Sequence, residues 1–208
     1  MKKLLPFLLS LALIAIFSDS KAQEFKKGLK AGANFATLSG DDVGSPDNII
    51  SYHAGFFTRF TFTKIGIQAE ALFSSQGAEY DGDKSTLTYL HVPVLGRINF
   101  VAGKLGIYLG PQFGYLLSAK NDFDLPEGVD DKDLYTDLDV SGVVGAELDV
   151  AAGLIVGARY YQSLSSISEG YEYDETTVIN GVSNTSSVSV SAGDVKNSVF
   201  QVYVGYAF

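Results

Sequence analysis

The chain has 208 residues, with 24 acidic against 15 basic side chains, two histidines, no cysteine and no tryptophan. Its net charge of −9 argues against nucleic acid as a partner, because phosphate contacts need a surplus of Lys and Arg. The absence of cysteine removes disulfides, thiol chemistry and a lipoprotein anchor, and two histidines leave zinc chemistry almost without ligands.

The first element in chain order reads as a leader. Lys2 and Lys3 form a positive start, Leu4 to Phe17 an apolar stretch, and Ser20-Lys21-Ala22 puts small residues at the −3 and −1 positions of a signal-peptidase site. The apolar stretch is too short to span a bilayer as a helix, and no later segment is long and apolar enough to do so. The expectation is a signal peptide over 1–22 and a mature domain over 23–208. Losing Lys2, Lys3, Lys21 and Asp19 would take the net charge to −9 − (3 − 1) = −11.

After Gln23 the dominant period is two, the repeat of a strand. Eight such segments follow: roughly 28–38, 52–62, 65–75, 87–100, 105–117, 138–150, 154–164 and 198–208. Each is near or above the 9–11 residues that a tilted strand needs to cross a bilayer, against about five or six for ordinary strands. Thr63-Lys64, Val101 to Lys104 and Ala151-Ala152-Gly153 make short connections, the last suiting a three-residue hairpin. Between them lie polar connections at 39–51, 76–86, 118–137 and 165–197, expected as solvated loops. Short and long connections on opposite ends describe an all-β, eight-stranded antiparallel up-and-down transmembrane barrel with short periplasmic turns and long extracellular loops.

The two strand faces carry different chemistry. One holds Lys30, Asn34, Arg59, Gln68, Glu70, His91, Arg97, Asn99, Gln112, Glu147, Asp149, Arg159 and Gln201; the other is Leu, Val, Ile, Ala, Phe and Tyr with almost no charge. Charge on a lipid face costs about 2–4 kcal/mol near the midplane, so the polar face is assigned inward. Phe62, Phe100 and Phe208 near the short turns, with Phe35, Phe56, Phe73 and Tyr115 nearer the long loops, read as interfacial girdles.

Four stretches carry a resemblance: Gly28-Leu-Lys-Ala-Gly-Ala-Asn-Phe35, Tyr89-Leu-His-Val-Pro-Val-Leu95, Gly110-Pro-Gln-Phe-Gly-Tyr-Leu-Leu117 and Gly157-Ala-Arg-Tyr160. Through them the whole mature chain resembles the porin-family, PorT-like outer-membrane barrels of the Bacteroidetes type. The resemblance implies no catalytic residues. It implies an assembly signal at the aromatic end, read by the outer-membrane insertion machinery and carried here by Val204, Tyr206 and Phe208. The family's fourth-strand motif has an acidic residue where this chain has His91.

Candidate sites follow from the inner face. An eight-stranded barrel is just wide enough for its side chains to fill. Arg59, Glu70, Arg97, Glu147 and Arg159 are expected to form one structural charge network, with Tyr89, Tyr108, Tyr161 and Tyr203 filling the rest of a plugged lumen. Counting along hairpins pairs Arg59 diagonally with Glu70, and Arg159 diagonally with Glu147. The acidic 118–137 segment (Asp122, Asp124, Glu127, Asp130, Asp131, Asp133, Asp137) lacks the spacing and turn glycine of an ordered calcium loop and reads as a solvated face, with divalent bridging as the alternative. The serines of 183–191 and the sequon at Asn184 carry no motif context, and no nucleophile elbow, P-loop or dinucleotide fingerprint occurs. No metal or cofactor site is expected. The reading is a non-enzymatic barrel that meets lipid, lipopolysaccharide and an unidentified surface partner. A narrow channel for water, ions or small solutes is the alternative, and a lipid- or peptide-modifying enzyme a third.

Overall fold

The computed structural model describes residues 23–208 except Asp42, Ser45, Asp81, Val101 to Gly103, Asp124, Glu127, Asn180 and Gly181. The leader expected over 1–22 lies outside the described residues, as does most of the short connection at 101–104. Ten strands are present in the described residues: β1 (Gln23–Ser39), β2 (Asp47–Phe62), β3 (Ile65–Tyr80), β4 (Asp83–Phe100), β5 (Leu105–Asn121), β6 (Leu138–Ala151), β7 (Leu154–Ser163), β8 (Tyr171–Ile179), β9 (Val182–Val190) and β10 (Lys196–Ala207). Eight close into an antiparallel barrel in the order β1-β10-β7-β6-β5-β4-β3-β2, and β8 pairs with β9 in a separate two-stranded sheet. Closure removes the exposed strand edges that an open sheet would leave.

The alternation sorts the faces as expected. Ile67, Phe73, Leu109, Val144, Phe200, Val202, Val204 and Tyr206 are exposed on the outer wall, whereas Gln68, Glu70, Gln112, Glu147 and Gln201 are buried inside. Of the girdle aromatics, Phe62, Phe100 and Phe208 are exposed at the short-turn end, and Phe35, Phe56, Phe73 and Tyr115 are exposed further along. Pro93 and Pro111 sit in neighbouring strands where the ladder is interrupted, because neither can donate a backbone hydrogen bond.

Three connections differ from expectation. Residues 76–86 are not a loop: β3 runs to Tyr80 and β4 starts at Asp83, with Ala78 paired to Ser85 and Gly77 to Thr86. The strands continue beyond the apolar belt, where polar composition no longer distinguishes strand from loop. The 165–197 connection contains the whole β8–β9 hairpin, in register from Tyr171↔Val190 to Ile179↔Val182. At the other end, the expected three-residue hairpin at 151–153 is a two-residue turn. Ala151 pairs with Leu154, Ala152 and Gly153 take positive φ of 50° and 86°, and a bulge lies between Asp149 and Ala151. Positive φ at both central positions matches the twist of the flanking strands.

The long-loop end is closed by an apolar cap. Leu38, Ala78, Leu87, Tyr89 and Leu116 from the walls pack with Tyr135 and Ile167 from the connections. Backbone bonds hold the two connections together, Thr136 N–H to Ile167 O at 2.8 Å and Glu169 N–H to Leu134 O at 2.8 Å, and Ile167 N–H to Val195 O at 2.7 Å ties the second connection to itself. The Tyr135 hydroxyl shares a hydrogen bond with Ser85 Oγ at 2.7 Å and donates to Asn121 Oδ1 at 3.1 Å. Burial raises this phenol's pKa above its ordinary 10.0, so it stays a donor.

Candidate functional site: a charged lumen plug and an acidic outer rim

The lumen is organised around two buried carboxylates. Glu70 on β3 accepts from Lys30 Nζ at 2.7 Å and Gln68 Nε2 at 2.6 Å with one oxygen, and from Arg159 Nη1 at 2.7 Å with the other. Glu147 on β6 accepts from Arg59 and from Arg97 Nη1, the latter at 2.8 Å, while its second oxygen accepts from the Tyr203 hydroxyl at 3.0 Å. Asp149, two residues on, receives Arg59 Nη1 at 3.2 Å and Lys26 Nζ at 3.2 Å at the short-turn mouth. Lys30, Arg59, Arg97 and Arg159 are buried around Glu70 and Glu147, and Asp149 with Lys26 completes the layer at the mouth, a balance of +5 − 3 = +2. Charges buried this fully are tolerable where each is paired and hydrogen-bonded.

All five charges singled out in the sequence lie in this layer, but their partners are exchanged. Arg159 pairs with Glu70 rather than Glu147, and Arg59 pairs with Glu147 rather than Glu70. Arg59 does lie opposite Gln68 and bonds it at 2.8 Å. Glu147 lies opposite Gly157 because the bulge between Asp149 and Ala151 restores the register that a three-residue turn would have set. The counting therefore holds at the first turn and is met at the third by a different route, while the partner choice fails. The reason is radius. Side chains of Arg length in a narrow barrel reach the facing wall, and β3 faces β7 four strands away in the ring, as β2 faces β6.

Several participants were missed. Phe57 is buried under two cations, with Lys30 Nζ 5.2 Å and Arg59 Cζ 5.4 Å from its ring centroid. Lys30 also lies 4.4 Å from the Tyr203 ring centroid, close enough for a cation–π contact. Glycine makes the space. A Cβ on Gly106 would collide with the Arg97 guanidinium, and one on Gly157 with the Tyr203 ring. Both glycines share the inward phase of their strands, a signal legible beside Tyr108 and Arg159.

Above the charges lies a second polar layer. Asn34 Oδ1 accepts from Gln201 Nε2 at 2.6 Å and lies 2.6 Å from His53 Nδ1, and Gln201 accepts from Arg159. His91 stacks edge-on with Tyr89 and Tyr161 at 5.3 and 5.4 Å between ring centroids. Asp139 is held by Asn197 Nδ2 at 3.0 Å and Ser141 Oγ at 3.1 Å. Among the described residues, no group of three or more metal-ligating side chains converges.

The outer rim is acidic. Asp131 and Asp133 fall in a single 3-10 turn over Asp131–Leu134, while Asp124 and Glu127 lie outside the described residues. Lys132 bonds Asp137 at 2.8 Å, which raises the lysine's pKa. At the chain's other end, Val204, Tyr206 and Phe208 project from the outer wall. The Phe208 backbone N–H donates to Lys27 O at 2.8 Å, tying the terminus to β1.

Comparison with known proteins agrees with this architecture. The model of the outer membrane protein beta-barrel domain family matches residues 17–169, more than half of the chain. No curated protein sequence matches. Among solved structures, the chain is similar to Neisserial surface protein A, with 11% identity over 90% of this chain and 100% of that one and a TM-score of 0.53. It is also similar to Ail, the attachment invasion locus protein of Yersinia pestis (12% identity, 89% and 99% coverage, TM-score 0.47), and to the E. coli outer membrane protein W (19%, 91% and 100%, 0.40). By sequence match and closed barrel together, this chain belongs to the outer membrane protein beta-barrel domain family and resides in the bacterial outer membrane.

Proposed function

We propose that this barrel, of the PorT-like Bacteroidetes type and exported by the leader at 1–22, is a non-enzymatic surface-interaction protein with a plugged lumen and an acidic outer rim as its working face. The supporting observation is the pair of seals in series. The layer around Glu70 and Glu147 fills the periplasmic half, and Tyr135 with Ile167 closes the extracellular mouth. A solute path would need both seals to open, and each is tied by buried hydrogen bonds or apolar packing. The rim presents Asp131, Asp133 and Asp137 beside the projecting β8–β9 hairpin, toward lipopolysaccharide and a surface partner. Phe208, Tyr206 and Val204 serve as the assembly signal for the insertion machinery. Single-channel recording in planar bilayers tests the reading. The purified barrel should be silent, and discrete conductance steps would overturn it in favour of a narrow channel for water, ions or small solutes.

A further inference from the structure

The β8–β9 hairpin is paired with no other described strand. Its nine-residue ladder is a sheet of two, so β8 has β9 on one side and an outer edge on the other. Such an edge presents alternate N–H and C=O groups over about 30 Å, a template for one further strand.

What surrounds β8 restricts which strand. Its sequence, Tyr-Glu-Tyr-Asp-Glu-Thr-Thr-Val-Ile, alternates at its base, and the cross-strand pairs Tyr171↔Val190 and Tyr173↔Val188 make one face apolar. The Tyr171 and Tyr173 rings lie 6.3 Å apart between centroids. The opposite face has Glu172↔Ser189, bonded at 2.9 Å from Ser189 Oγ to the carboxylate, and Asp174↔Ser187. At its foot β8 opens onto a cleft of about 520 Å³ whose lining includes Asp133, Tyr135, Asp137, Glu169, Tyr171 and Glu172. The cleft's one lysine, Lys132, is bound to Asp137. From 169 to 190 the sequence has four acidic residues and no Lys, Arg or His. Carboxylates on an edge strand repel acidic strands and a second β8 alike, and admit a basic one.

We propose that the β8 edge binds an extended, basic polypeptide segment by strand addition. Alternate apolar residues of the segment continue the Tyr171–Tyr173 face, and the intervening Lys or Arg residues meet Glu172 and Asp174, one of them entering the cleft between Asp133 and Glu169. Main-chain pairing supplies attachment, and side-chain alternation supplies selection. This deepens the surface-interaction reading and rests on it.

The test uses the full barrel in detergent micelles and three nine-residue peptides: alternating Lys-Val, the same peptide N-methylated along its backbone, and alternating Glu-Val. The Lys-Val peptide should bind. Methylation preserves charge but removes the donors, and should weaken binding at least tenfold; the Glu-Val peptide should not bind. A Glu172→Gln/Asp174→Asn variant with unchanged heat-modifiable mobility should lose at least tenfold in affinity for the Lys-Val peptide. Absence of Lys-Val binding, equal binding of the methylated peptide, or full affinity in the variant would overturn the proposal. Silence in planar bilayers would stand regardless, so the failure of this edge and the failure of the sealed-barrel reading are told apart.

Discussion

Glu147→Ala isolates the value of the lumen plug. Glu147 is fully buried and holds Arg97 Nη1 at 2.8 Å as well as Arg59, and Arg97 is itself fully buried. Removing the carboxylate takes the layer from +5 − 3 = +2 to +5 − 2 = +3 and leaves Arg97 with Asn99 Oδ1 at 2.6 Å and Asp149 at 3.9 Å. A contact at about 4 Å in an effective dielectric near 20 is worth about 4 kcal/mol, and three such contacts disappear, since Lys30 Nζ lies 3.6 Å from Glu147 as well. Arg59 keeps Asp149, which is partly exposed, and water reaching that mouth offsets part of the loss. The expected destabilisation is about 3–5 kcal/mol. Adding Arg97→Ala removes the stranded charge, so the double variant should be less destabilised than the sum of the single variants by about 2 kcal/mol. Arg159, bonded to Glu70 instead, should show a much smaller coupling to Glu147. Urea unfolding of the barrel in lipid vesicles, followed by tyrosine fluorescence and gel mobility, gives both cycles. Zero coupling between Glu147 and Arg97, or equal coupling of Glu147 to Arg97 and Arg159, would refute the assignment.

Val204→Arg, on the exposed outer wall, should lower folding stability in vesicles by about 2–4 kcal/mol where the residue lies near the midplane, while Val204→Leu stays near wild type; equal effects would invert the faces. Gln201→Arg is expected to be harmful for a different reason, since it sets a second guanidinium beside Arg159. Deleting Phe208 should reduce the barrel recovered in outer membranes without reducing the amount exported, measured by cell fractionation, because the residue supplies both the aromatic end and the backbone bonds to Lys27. Tyr135→Ala should loosen the cap by about 3 kcal/mol, seen as faster proteolysis within 118–137, yet leave planar bilayers silent because the charge layer remains.

Strand phase was legible wherever one wall met lipid and the other met polar side chains. That pattern placed Gln68, Glu70, Glu147 and Gln201 inside from sequence alone. It faded at 76–86, where the outward positions Gly77 and Glu79 are no longer apolar and Ser, Gln and Thr suit ladder and loop equally. The β8–β9 hairpin had a readable sign, Asn180-Gly181 between two alternating runs, masked by the serine-rich composition around it. Partner choice in the lumen was out of reach, because counting along a hairpin ranks neighbours on adjacent strands. Arg59 and Glu147 are 88 residues apart and meet through the radius of the ring. Tyr135 and Ile167 were hidden for a similar reason: each lies in a connection of mainly polar composition, and the space that buries it exists once the barrel has closed.

The long ion pairs also have a mechanical meaning. Arg159 to Glu70 and Arg59 to Glu147 join walls on opposite sides of the ring, while Lys30 and Arg97 brace the same carboxylates from nearer strands. Two crossing ties of this kind act as spokes. The two ties span diameters one strand apart in the ring of eight, so an oval cross-section drawn out along either diameter stretches that tie and is resisted. A hollow barrel of the same strand number has its wall hydrogen bonds alone to keep it round. Lateral pressure from the surrounding bilayer, or a pull on the outer hairpin, is therefore carried across the lumen as well as around it.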